Sequence, residues 1–492
     1  MRVYSSTRGG GGTFRAAEAI IKGLAPDGGL FVPDVIPRMP DGMTEKTKYQ
    51  DIAAAVIGAY FDDYTEDEIR HDVLSAYDTK FDTPEIVPLV KAGGAYFLEL
   101  YHGKTSAFKD MALSILPYLL TDAVRKTGDD KKILILTATS GDTGKAALEG
   151  FAGVDGTEIA VFYPKSGVSE IQKRQMVTQE GENTHVFAIN GNFDDAQTGV
   201  KAIFEDKAFA EKLAGKGVRL SSANSINIGR LVPQVAYYVY AYNRLLEDGE
   251  VAKGENINIC VPTGNFGNIL AAYFAREMGL PVAKLICASN VNNVLTDFID
   301  TGVYDVHRQF CVTNSPSMDI LVSSNLERLL FLLCGRDGAE VANLMDELKN
   351  CGRYEVSEKV REGMKLFYGG FATPQETTST IGRLYASEGY LTDTHTAVAY
   401  KVYRDYAEET EDTTKTVIAS TASPFKFPRS VAQALGMISD GDDTDDFEIS
   451  KMISKRTGLA IPRGLADIEK KPVLHERTVS PEGMKQAIEE IL

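Results

Sequence analysis

The sequence predicts an α/β protein with two lobes, each a parallel sheet covered by helices on both faces, and a mostly helical N-terminal region. Three observations support this expectation. A chain of 492 residues is too long for one ordinary hydrophobic core. Short β-branched runs alternate with segments of helical periodicity, which is typical of parallel strands joined by crossover helices. These strand-like runs fall into two series along the chain.

The elements follow in chain order. Residues 1–95 are expected to be helical around DIAAAVIGAYF and EDEIRHDVLSAY, after a segment whose Pro, Asp and Gly residues mark chain reversals. Residues 96–220 are predicted to form the first lobe, with strands at KKILILTAT, EIAVFYP and THVFAIN. Residues 221–492 are predicted to form the second lobe, with strands at INICVPT, AKLICAS and TVIASTA and a largely helical insertion at about 313–395.

Composition restricts the possible partners and compartment. The formal net charge of −17 argues against nucleic acid as a ligand, because phosphate backbones require clustered Lys and Arg. The five cysteines are odd in number and form no C-x-x-C pair, which indicates a reducing compartment. No apolar run has the length of a membrane span and the N-terminus has no signal-peptide core, so we expect a cytoplasmic protein. The six histidines have no metal-ligand spacing, and no metal site is expected.

Two glycine-containing loops follow predicted strands, where open parallel sheets bind their ligands. The loop SGDTG at 140–144 offers backbone N–H groups and hydroxyls at a helix N-terminus, which suits a carboxylate. The loop TGNFGN at 263–268 offers the same chemistry and suits a phosphate monoester held without a metal. A bare turn in the first case and an ordinary helix N-cap in the second are the alternatives.

A third polar loop, SSANSINIGR at 221–230, ends in an arginine. Asn224, Ser225 and Arg230 could converge on an oxyanion, since a guanidinium can bind two phosphate oxygens at once. A solvated turn with a surface arginine is an equally good interpretation of this stretch alone. The combination of three such loops in one chain favours a site that binds more than one anionic group.

A phosphate-binding P-loop can be excluded. The motif requires G-x-x-x-x-G-K-[ST], so the GKT that ends with Thr105 needs a glycine at position 98, where the chain has Leu98. The other Gly-Lys pair, which includes Lys145, has Thr139 at the first glycine position and Ala146 after the lysine. Neither lysine therefore belongs to a nucleotide-binding loop.

Lys109, in the stretch SAFKD, has a different environment. Its neighbours Phe108 and Met111 can remove enough water from the amine to lower its pKa and make it nucleophilic. Such an amine condenses with aldehydes. A cofactor with one phosphate and one aldehyde would use TGNFGN for the phosphate and Lys109 for the aldehyde, and pyridoxal 5'-phosphate has both groups.

The motifs HGKTSAFKD, TATSGDTG, SANSINIGR and VPTGNFGN, in this order, resemble the threonine synthases of the long bacterial and fungal type. The resemblance extends to YSSTRG, GLAPDGGLFVP, ASNVNNVLTDF, DTHTAVAY and STASPFKF, and so covers most of the chain. It implies a fold-type II (tryptophan synthase β-like) pyridoxal-phosphate enzyme. The implied reaction converts O-phospho-L-homoserine and water to L-threonine and phosphate, a lyase step that ends threonine biosynthesis.

The resemblance also implies residue roles. Lys109 is implied to bind the cofactor and to move protons during catalysis. The remaining cofactor contacts implied are Asp142, Gly264, Asn265, Phe266, Gly267, Asn268 and Thr421, with Thr421 against the pyridine nitrogen. The substrate carboxylate is implied to lie against Ser140, Gly141, Thr143 and Gly144. The substrate phosphate is implied to lie against Asn224, Ser225 and Arg230.

Two alternatives remain at this point. Another fold-type II lyase, such as a serine or threonine dehydratase or a phospho-lyase, would share most motifs, but a substrate without phosphate would leave Arg230 unpaired in a closed site. A non-catalytic protein with a cofactor-shaped cleft is disfavoured by the intact Lys109. The sequence leaves open whether the protein is a monomer or a homodimer.

Three positions depart from family patterns. Lys104 stands where proline is common, and the lysine either adds a cation to the substrate pocket or, as we prefer, points to solvent. Ser423 stands where histidine is frequent. Asp142 differs from the asparagine common among fold-type II enzymes, although aspartate is usual in the long branch.

Overall fold

The computed structural model of the protein describes residues 1–128, 130–139, 141–165 and 168–492. Within these residues the chain forms short and medium strands that alternate with helices. The strands are β1 (Tyr4–Ser6), β2 (Phe31–Pro33), β3 (Leu89–Ala92), β4 (Ala95–Glu99), β5 (Lys132–Ala138), β6 (Thr157–Pro164), β7 (Thr184–Ile189), β8 (Val218–Ser222), β9 (Ile257–Pro262), β10 (Val282–Ser289), β11 (Val303–Asp305), β12 (Arg353–Glu355), β13 (Phe367–Phe371), β14 (Thr416–Ser420) and β15 (Thr478–Val479).

The α-helices lie mostly between these strands. They are α1 (Ala16–Lys22), α2 (Tyr49–Tyr60), α3 (Glu66–Ala76), α4 (Asp110–Leu113), α5 (Leu116–Thr127), α6 (Asp142–Phe151), α7 (Glu170–Val177), α8 (Phe193–Glu205), α9 (Lys207–Gly215), α10 (Ile228–Leu231), α11 (Pro233–Glu247), α12 (Gly267–Glu277), α13 (Val294–Thr301), α14 (Leu326–Leu333), α15 (Gly338–Cys351), α16 (Glu358–Met364), α17 (Pro374–Glu388), α18 (Thr394–Thr410), α19 (Pro428–Ala434), α20 (Asp446–Thr457) and α21 (Met484–Glu490).

The larger of the two main sheets has the strand order β13-β10-β9-β14-β4-β3. All neighbours are parallel except β3, which runs antiparallel to β4 at one edge. Strands β4, β9 and β14 are buried along their whole length, as expected for the centre of a sheet covered on both faces. The predicted strands INICVPT, AKLICAS and TVIASTA are thus confirmed as β9, β10 and β14.

The smaller main sheet is entirely parallel, with the order β15-β7-β6-β5-β8. Strands β5, β6 and β7 confirm the three predicted in the first series. Two short antiparallel pairs, β1 with β2 and β11 with β12, complete the strand pairing of the described residues. The α/β class with two parallel-sheet lobes is therefore confirmed, as are the two N-terminal helices, which are α2 and α3.

Sheet membership divides the chain differently from the predicted ranges 96–220 and 221–492. Strand β4 pairs in register with β14 of the larger sheet, with Tyr96 opposite Val417, although it begins the range predicted for the first lobe. Strand β15, near the C-terminus, joins the smaller sheet beside β7. Strands β5 to β8 of the smaller lobe are therefore inserted into the larger one, because the chain leaves the larger sheet after β4 and returns at β9, whereas β15 is added to the smaller sheet from the C-terminal part of the chain.

The predicted helical insertion at about 313–395 also contains strands. Strand β13 forms the edge of the larger sheet, parallel to β10. This strand was not predicted from its sequence, FYGGF, because glycine lowers strand propensity and a Gly pair usually indicates a turn. Gly369 is required by packing, since a Cβ there would lie 3.0 Å from the Thr296 Cα atom.

Helix α11 forms part of the main hydrophobic core. Almost every residue of this helix is buried, including four tyrosines, as expected for a helix that is apolar around its whole circumference. It packs against α2 of the N-terminal region and against α12 of the larger lobe. None of the helices in the described residues is both long and apolar enough to cross a membrane.

Candidate active site

The predicted site loops lie at the carboxyl ends of strands. The Lys109 loop follows β4, the 141–144 loop follows β5, the 263–268 loop follows β9, and Thr421 follows β14. Ligands of parallel sheets bind at such ends. The Lys109 Nζ lies 3.7 Å from the Asp142 Oδ2 atom, so loops of the two sheets meet across one cleft. Ser140, predicted to contact the substrate, lies outside the described residues.

The Lys109 amine is mostly removed from solvent and has both a carboxylate and two cations nearby. Only 15% of its side chain is exposed, and its Nζ lies 5.9 Å from the centroid of the Phe108 ring. Burial lowers the pKa of the amine, and the positive charges of Arg230 and Lys426 lower it further against the opposing attraction of Asp142. The shielding by an aromatic neighbour that the sequence predicts is present.

The backbone before Lys109 is strained. Ser106 has a φ of 58°, in the left-handed region that non-glycine residues rarely adopt. The segment that follows β14 holds this loop through two backbone hydrogen bonds. The Phe108 N–H donates to the Thr421 carbonyl at 2.8 Å, and the Ser423 N–H donates to the Ser106 carbonyl at 3.1 Å. Lys109 and Thr421 are thereby fixed relative to each other.

Asp142, at the start of α6, has cations on both carboxylate oxygens. The Lys426 Nζ lies 3.0 Å from Oδ1, opposite the Lys109 contact with Oδ2. Gln172 donates to Oδ1 at 2.8 Å, and the Ser317 hydroxyl lies 3.4 Å from Oδ2. Although burial alone raises the pKa of this carboxyl, Lys426 and Lys109 hold it well below its usual range. Asp142 is therefore an anion.

The neighbouring residues 141–144 form a tight turn into α6. The Gly141 and Gly144 N–H groups both donate to the Thr139 hydroxyl at 2.9 Å, so these two amides are already satisfied. A Cβ at Gly144 would lie 2.3 Å from the Thr139 methyl group, which explains the glycine. Thr143 follows in the first turn of α6 and is partly exposed. Contact of this loop with a substrate carboxylate stays a prediction.

The 263–268 loop enters α12 through a strained residue. Phe266 has a φ of 62°, and Gly264 lies so close to the 317–318 segment that a Cβ would lie 2.9 Å from the Ser317 carbonyl oxygen. Asn268 accepts a hydrogen bond from the Tyr238 hydroxyl, and its Nδ2 is buried without an acceptor among the described residues. A buried donor without a partner at a helix N-terminus is suited to an anion.

Asn325 joins two of the predicted loops, a role that sequence reasoning missed. Its Nδ2 donates to the Asn265 carbonyl at 2.9 Å and lies 3.4 Å from the Ser225 hydroxyl. The fully buried Arg328 holds Asn325 through a hydrogen bond to Oδ1 and also donates to the Phe31 carbonyl at 2.9 Å. The N-terminal region thus braces the cleft.

Arg230 is a buried cation with spare hydrogen-bonding capacity. Its side chain is 2% exposed, its Nη1 donates to the Ala223 carbonyl at 2.8 Å, and its Nε has no partner among the described residues. Burial lowers the pKa of the guanidinium to about 10, so it stays charged at neutral pH. Asn224 and Ser225 lie in the same loop and are partly exposed. The interpretation as a surface arginine is wrong.

Residues of the DTHT motif support Thr421 and the 317–318 segment. The fully buried Asp393 accepts hydrogen bonds from the His395 ring at 2.7 Å and from the Thr396 hydroxyl. The Thr396 hydroxyl in turn lies 3.2 Å from the Thr421 N–H, and His395 Nε2 accepts from the Ser317 N–H at 3.1 Å. The motif itself was recognised in the sequence, but its role in holding Thr421 and Ser317 in place was not.

Lys104 and Ser423, which depart from the family patterns, both interact with nearby residues. Lys104 is 47% exposed and its Nζ pairs with Glu149 at 2.6 Å, so it is a half-exposed ion pair. The Ser423 hydroxyl accepts from the Phe425 N–H at 3.3 Å and caps the turn that carries Lys426.

Three family models match the chain. The model described as "Threonine synthase N terminus" matches residues 3–77, "Pyridoxal-phosphate dependent enzyme" matches residues 82–348, and "Threonine synthase, C-terminal" matches residues 396–488. The threonine synthase of Pseudomonas aeruginosa is 40% identical over 88% of this chain and 90% of its own length. The chain belongs to the threonine synthase family. Its cofactor is accordingly pyridoxal 5'-phosphate, as the sequence predicts.

Other comparisons in this family agree. The human protein named "Threonine synthase-like 1" is 40% identical over 85% of this chain, but the match spans only 58% of that protein's length. The crystal structure of pyridoxal-phosphate-bound threonine synthase from Brucella melitensis superposes with a TM-score of 0.88 at 35% identity, covering 100% of this chain and 99% of that one. The fold-type II architecture is therefore confirmed.

The residues present fit this cofactor. A buried amine of lowered pKa, Lys109, suits its aldehyde. The strained turn at Phe266 suits its phosphate, as does the Asn268 Nδ2, which has no acceptor in the described part of the chain. The Thr421 hydroxyl forms no hydrogen bond within the part of the chain that the structure describes, which leaves it available for a ring nitrogen.

Proposed function

We propose that this protein converts O-phospho-L-homoserine and water into L-threonine and phosphate. The observation that carries the proposal is Arg230, a buried guanidinium in the cleft that contains Lys109, whose Nε has no partner among the residues that the structure describes. A buried charge without a counter-ion is costly, so a site that retains one is suited to a ligand that supplies the anion. The loop 263–268 fits the cofactor's phosphate, which leaves Arg230 for a phosphate of the substrate.

Pyridoxal phosphate, when bound, withdraws electrons from the amino acid and so stabilises negative charge at its carbons. The chain's own residues determine which bonds react. Lys109, whose amine has a lowered pKa, is suited to remove a proton from Cα and to deliver protons as a general acid. In the overall reaction the Cγ–O bond breaks, Cγ gains a proton, and Cβ loses a proton and gains a hydroxyl from water.

The remaining groups orient the substrate. Arg230, with Asn224 and Ser225, would hold the phosphate while it is a substituent and after it leaves, because a charged donor stabilises the leaving dianion. The 140–144 loop would hold the carboxylate. Thr421 offers the ring nitrogen a neutral hydroxyl, which keeps less positive charge on the ring than an aspartate would and favours elimination and replacement over transamination.

The test is to incubate the purified holoenzyme with O-phospho-L-homoserine and to assay threonine and phosphate in the same sample. Equal amounts of both products support the proposal. Phosphate with 2-oxobutanoate and no threonine would show a phospho-lyase that fails to add water at Cβ, and turnover of L-homoserine or L-serine at a similar rate would show a dehydratase. Either result would contradict the proposal.

We further expect the protein to act in the cytoplasm as a monomer or homodimer. Its five cysteines are free thiols, which fits a reducing compartment. Light scattering of the purified chain at several concentrations distinguishes a mass of 53.6 kDa from twice that value.

A further inference from the structure

Lys426 is a second lysine of the cleft to which the sequence assigns no role. It belongs to STASPFKF and lies at the end of a short turn, Pro424–Lys426, that follows β14. Its side chain is 0% exposed. Its Nζ contacts three oxygen acceptors, Asp142 Oδ1 at 3.0 Å, the Gln175 Oε1 at 2.7 Å and the Thr105 carbonyl at 3.0 Å. Two of these contacts are hydrogen bonds and the third is an ion pair, so the protein itself supplies oxygen partners all around this amine.

The pairing divides the two oxygens of Asp142 between two lysines. The Lys426 Nζ lies 3.0 Å from Oδ1, whereas the Lys109 Nζ lies farther from Oδ2, at 3.7 Å, and 5.9 Å from the centroid of the Phe108 ring. If both lysines were charged, one buried carboxylate would face two buried ammonium ions, with Arg230 also nearby. A charged Lys426, an ionised Asp142 and a neutral Lys109 instead have no net charge among the three, so that Arg230 is the one remaining positive charge of this group.

We infer that Lys426 is a positioning residue that neutralises Asp142 through Oδ1, so that Lys109 on the opposite oxygen can release its proton and act as a free amine. The inference rests on the role proposed for Lys109 but not on the identity of the substrate. Without Lys426, the unpaired carboxylate would attract a proton to Lys109 and keep the amine charged and unreactive.

Other charged groups around this pair must be considered. Arg230 lowers the pKa of Lys109 in the same direction as Lys426 does. Asp110, which is buried and accepts from Thr105, and Lys145, one turn farther along α6, both experience the charge of Lys426. None of these groups contacts the Asp142 carboxylate among the residues described, so Lys426 is its closest cation.

The test measures the pKa of Lys109 directly. The full-length protein, freed of cofactor, is labelled with a trace of acetic anhydride across a pH series, and mass spectrometry of the peptide that contains Lys109 gives its reactive fraction. Lys426→Met removes the charge with little change of shape, and we expect the pKa of Lys109 to rise by about one unit or more, a roughly tenfold loss of neutral amine at a given pH. Asp142→Asn should lower the same pKa.

The double variant Lys426→Met/Asp142→Asn contains no unpaired carboxylate, and its Lys109 pKa should return to within about half a unit of the wild type. Lys145→Met is the matched control, because Lys145 is also a buried lysine of this region but pairs with Glu149, and it should leave the Lys109 pKa unchanged. If Lys426→Met alone fails to fold, the double variant decides.

Three results would overturn the inference. They are an unchanged Lys109 pKa in Lys426→Met, an equal shift in Lys145→Met, or a double variant whose Lys109 pKa stays as high as that of the single variant. No substrate is present in these measurements, so their outcome is independent of the product assay. The rate at which pyridoxal phosphate recombines with cofactor-free Lys426→Met, followed by absorbance, should have a pH profile displaced to more alkaline pH by the same amount, whereas the profiles of Lys145→Met and of the double variant should stay close to that of the wild type.

Discussion

Two buried cations of the cleft, Lys426 and Arg230, differ in how many of their N–H groups have an oxygen partner within the protein. Lys426 has three oxygen acceptors, one of them the Asp142 carboxylate. Arg230 has one carbonyl acceptor, no carboxylate partner among the described residues, and an unpartnered Nε. Both side chains are almost completely removed from solvent.

The difference indicates two functions. A cation whose acceptors are all in the protein is a permanent part of the structure, whereas a buried cation with unused donors is arranged for a ligand. The Asp142 end of the cleft is therefore suited to control the charge of Lys109. The Arg230 end is suited to bind an anion that arrives with the substrate. The predictions below test this division.

Lys109→Ala should give the largest effect. It removes the amine that binds the cofactor and moves protons, and turnover should fall at least about a thousandfold. The Arg230 end is unaltered, so an inert phosphonate analogue of the substrate should still bind to the variant. Lys145→Ala, which removes another buried lysine, is the control and should retain activity. More than a tenth of wild-type turnover in Lys109→Ala would contradict the assigned role.

Arg230→Met should give the next largest effect. Removal of a buried charged donor from a phosphate costs about 2–5 kcal/mol, which corresponds to a loss of roughly thirtyfold to several thousandfold in kcat/KM for O-phospho-L-homoserine. Cofactor affinity should change by less than about threefold, since the cofactor phosphate uses other donors. Arg276→Met alters a half-exposed arginine of α12 and serves as the control. Equal losses in cofactor and substrate affinity would show that the two anion sites are not separate.

Asn268→Ala should have the opposite effect to Arg230→Met, because it should weaken cofactor binding and leave substrate binding nearly unchanged. The buried Nδ2 has no acceptor among the described residues, and loss of a hydrogen bond to a charged group costs about 1.5–3 kcal/mol. Titration with pyridoxal phosphate should therefore show an affinity about tenfold or more weaker, while KM at saturating cofactor stays close to that of the wild type. Asn190→Ala, at an exposed asparagine of the smaller lobe, should change neither quantity. An unchanged cofactor affinity would remove Asn268 from the phosphate loop.

His395→Asn should have the smallest effect on catalysis and a measurable one on stability. It removes the ring that joins the buried Asp393 to the Ser317 N–H, and we expect the free energy of unfolding to fall by about 1–3 kcal/mol. His307→Asn is a close control, because His307 forms the same kind of pair with Asp305 at 2.9 Å but is 66% exposed. Denaturant unfolding of both variants tests the difference. Equal stabilities would contradict a bracing role for His395.

The sequence predicted the strands whose side chains are strongly β-branched and the loops that follow them. It could not predict that β4 pairs with β14, because a partner strand 321 residues away leaves no local signal. Strand β13 was not predicted because of its two glycines, which are explained by the close approach of α13 to Gly369 and of α18 to Gly370.

The residues of the site likewise divide into those with a local sequence signal and those without one. Lys109, Arg230 and the 263–268 loop have local sequence signals, a lysine beside an aromatic residue, an arginine ending a small polar run, and glycines before a helix. Lys426, Asn325 and His395 have none, because each acts through contacts with residues far away in the chain. Side chains that position other side chains are recognised only when the fold brings them together.

The most direct test of this account is a crystal structure of the holoenzyme with a non-reactive phosphonate analogue of O-phospho-L-homoserine. We expect the cofactor phosphate in the 263–268 loop near Asn268 and the phosphonate against Arg230, Asn224 and Ser225. We also expect Lys426 to keep its contact with Asp142. A phosphonate bound elsewhere, with Arg230 still lacking a partner for its Nε, would contradict the separation of the two anion sites and the function inferred from it.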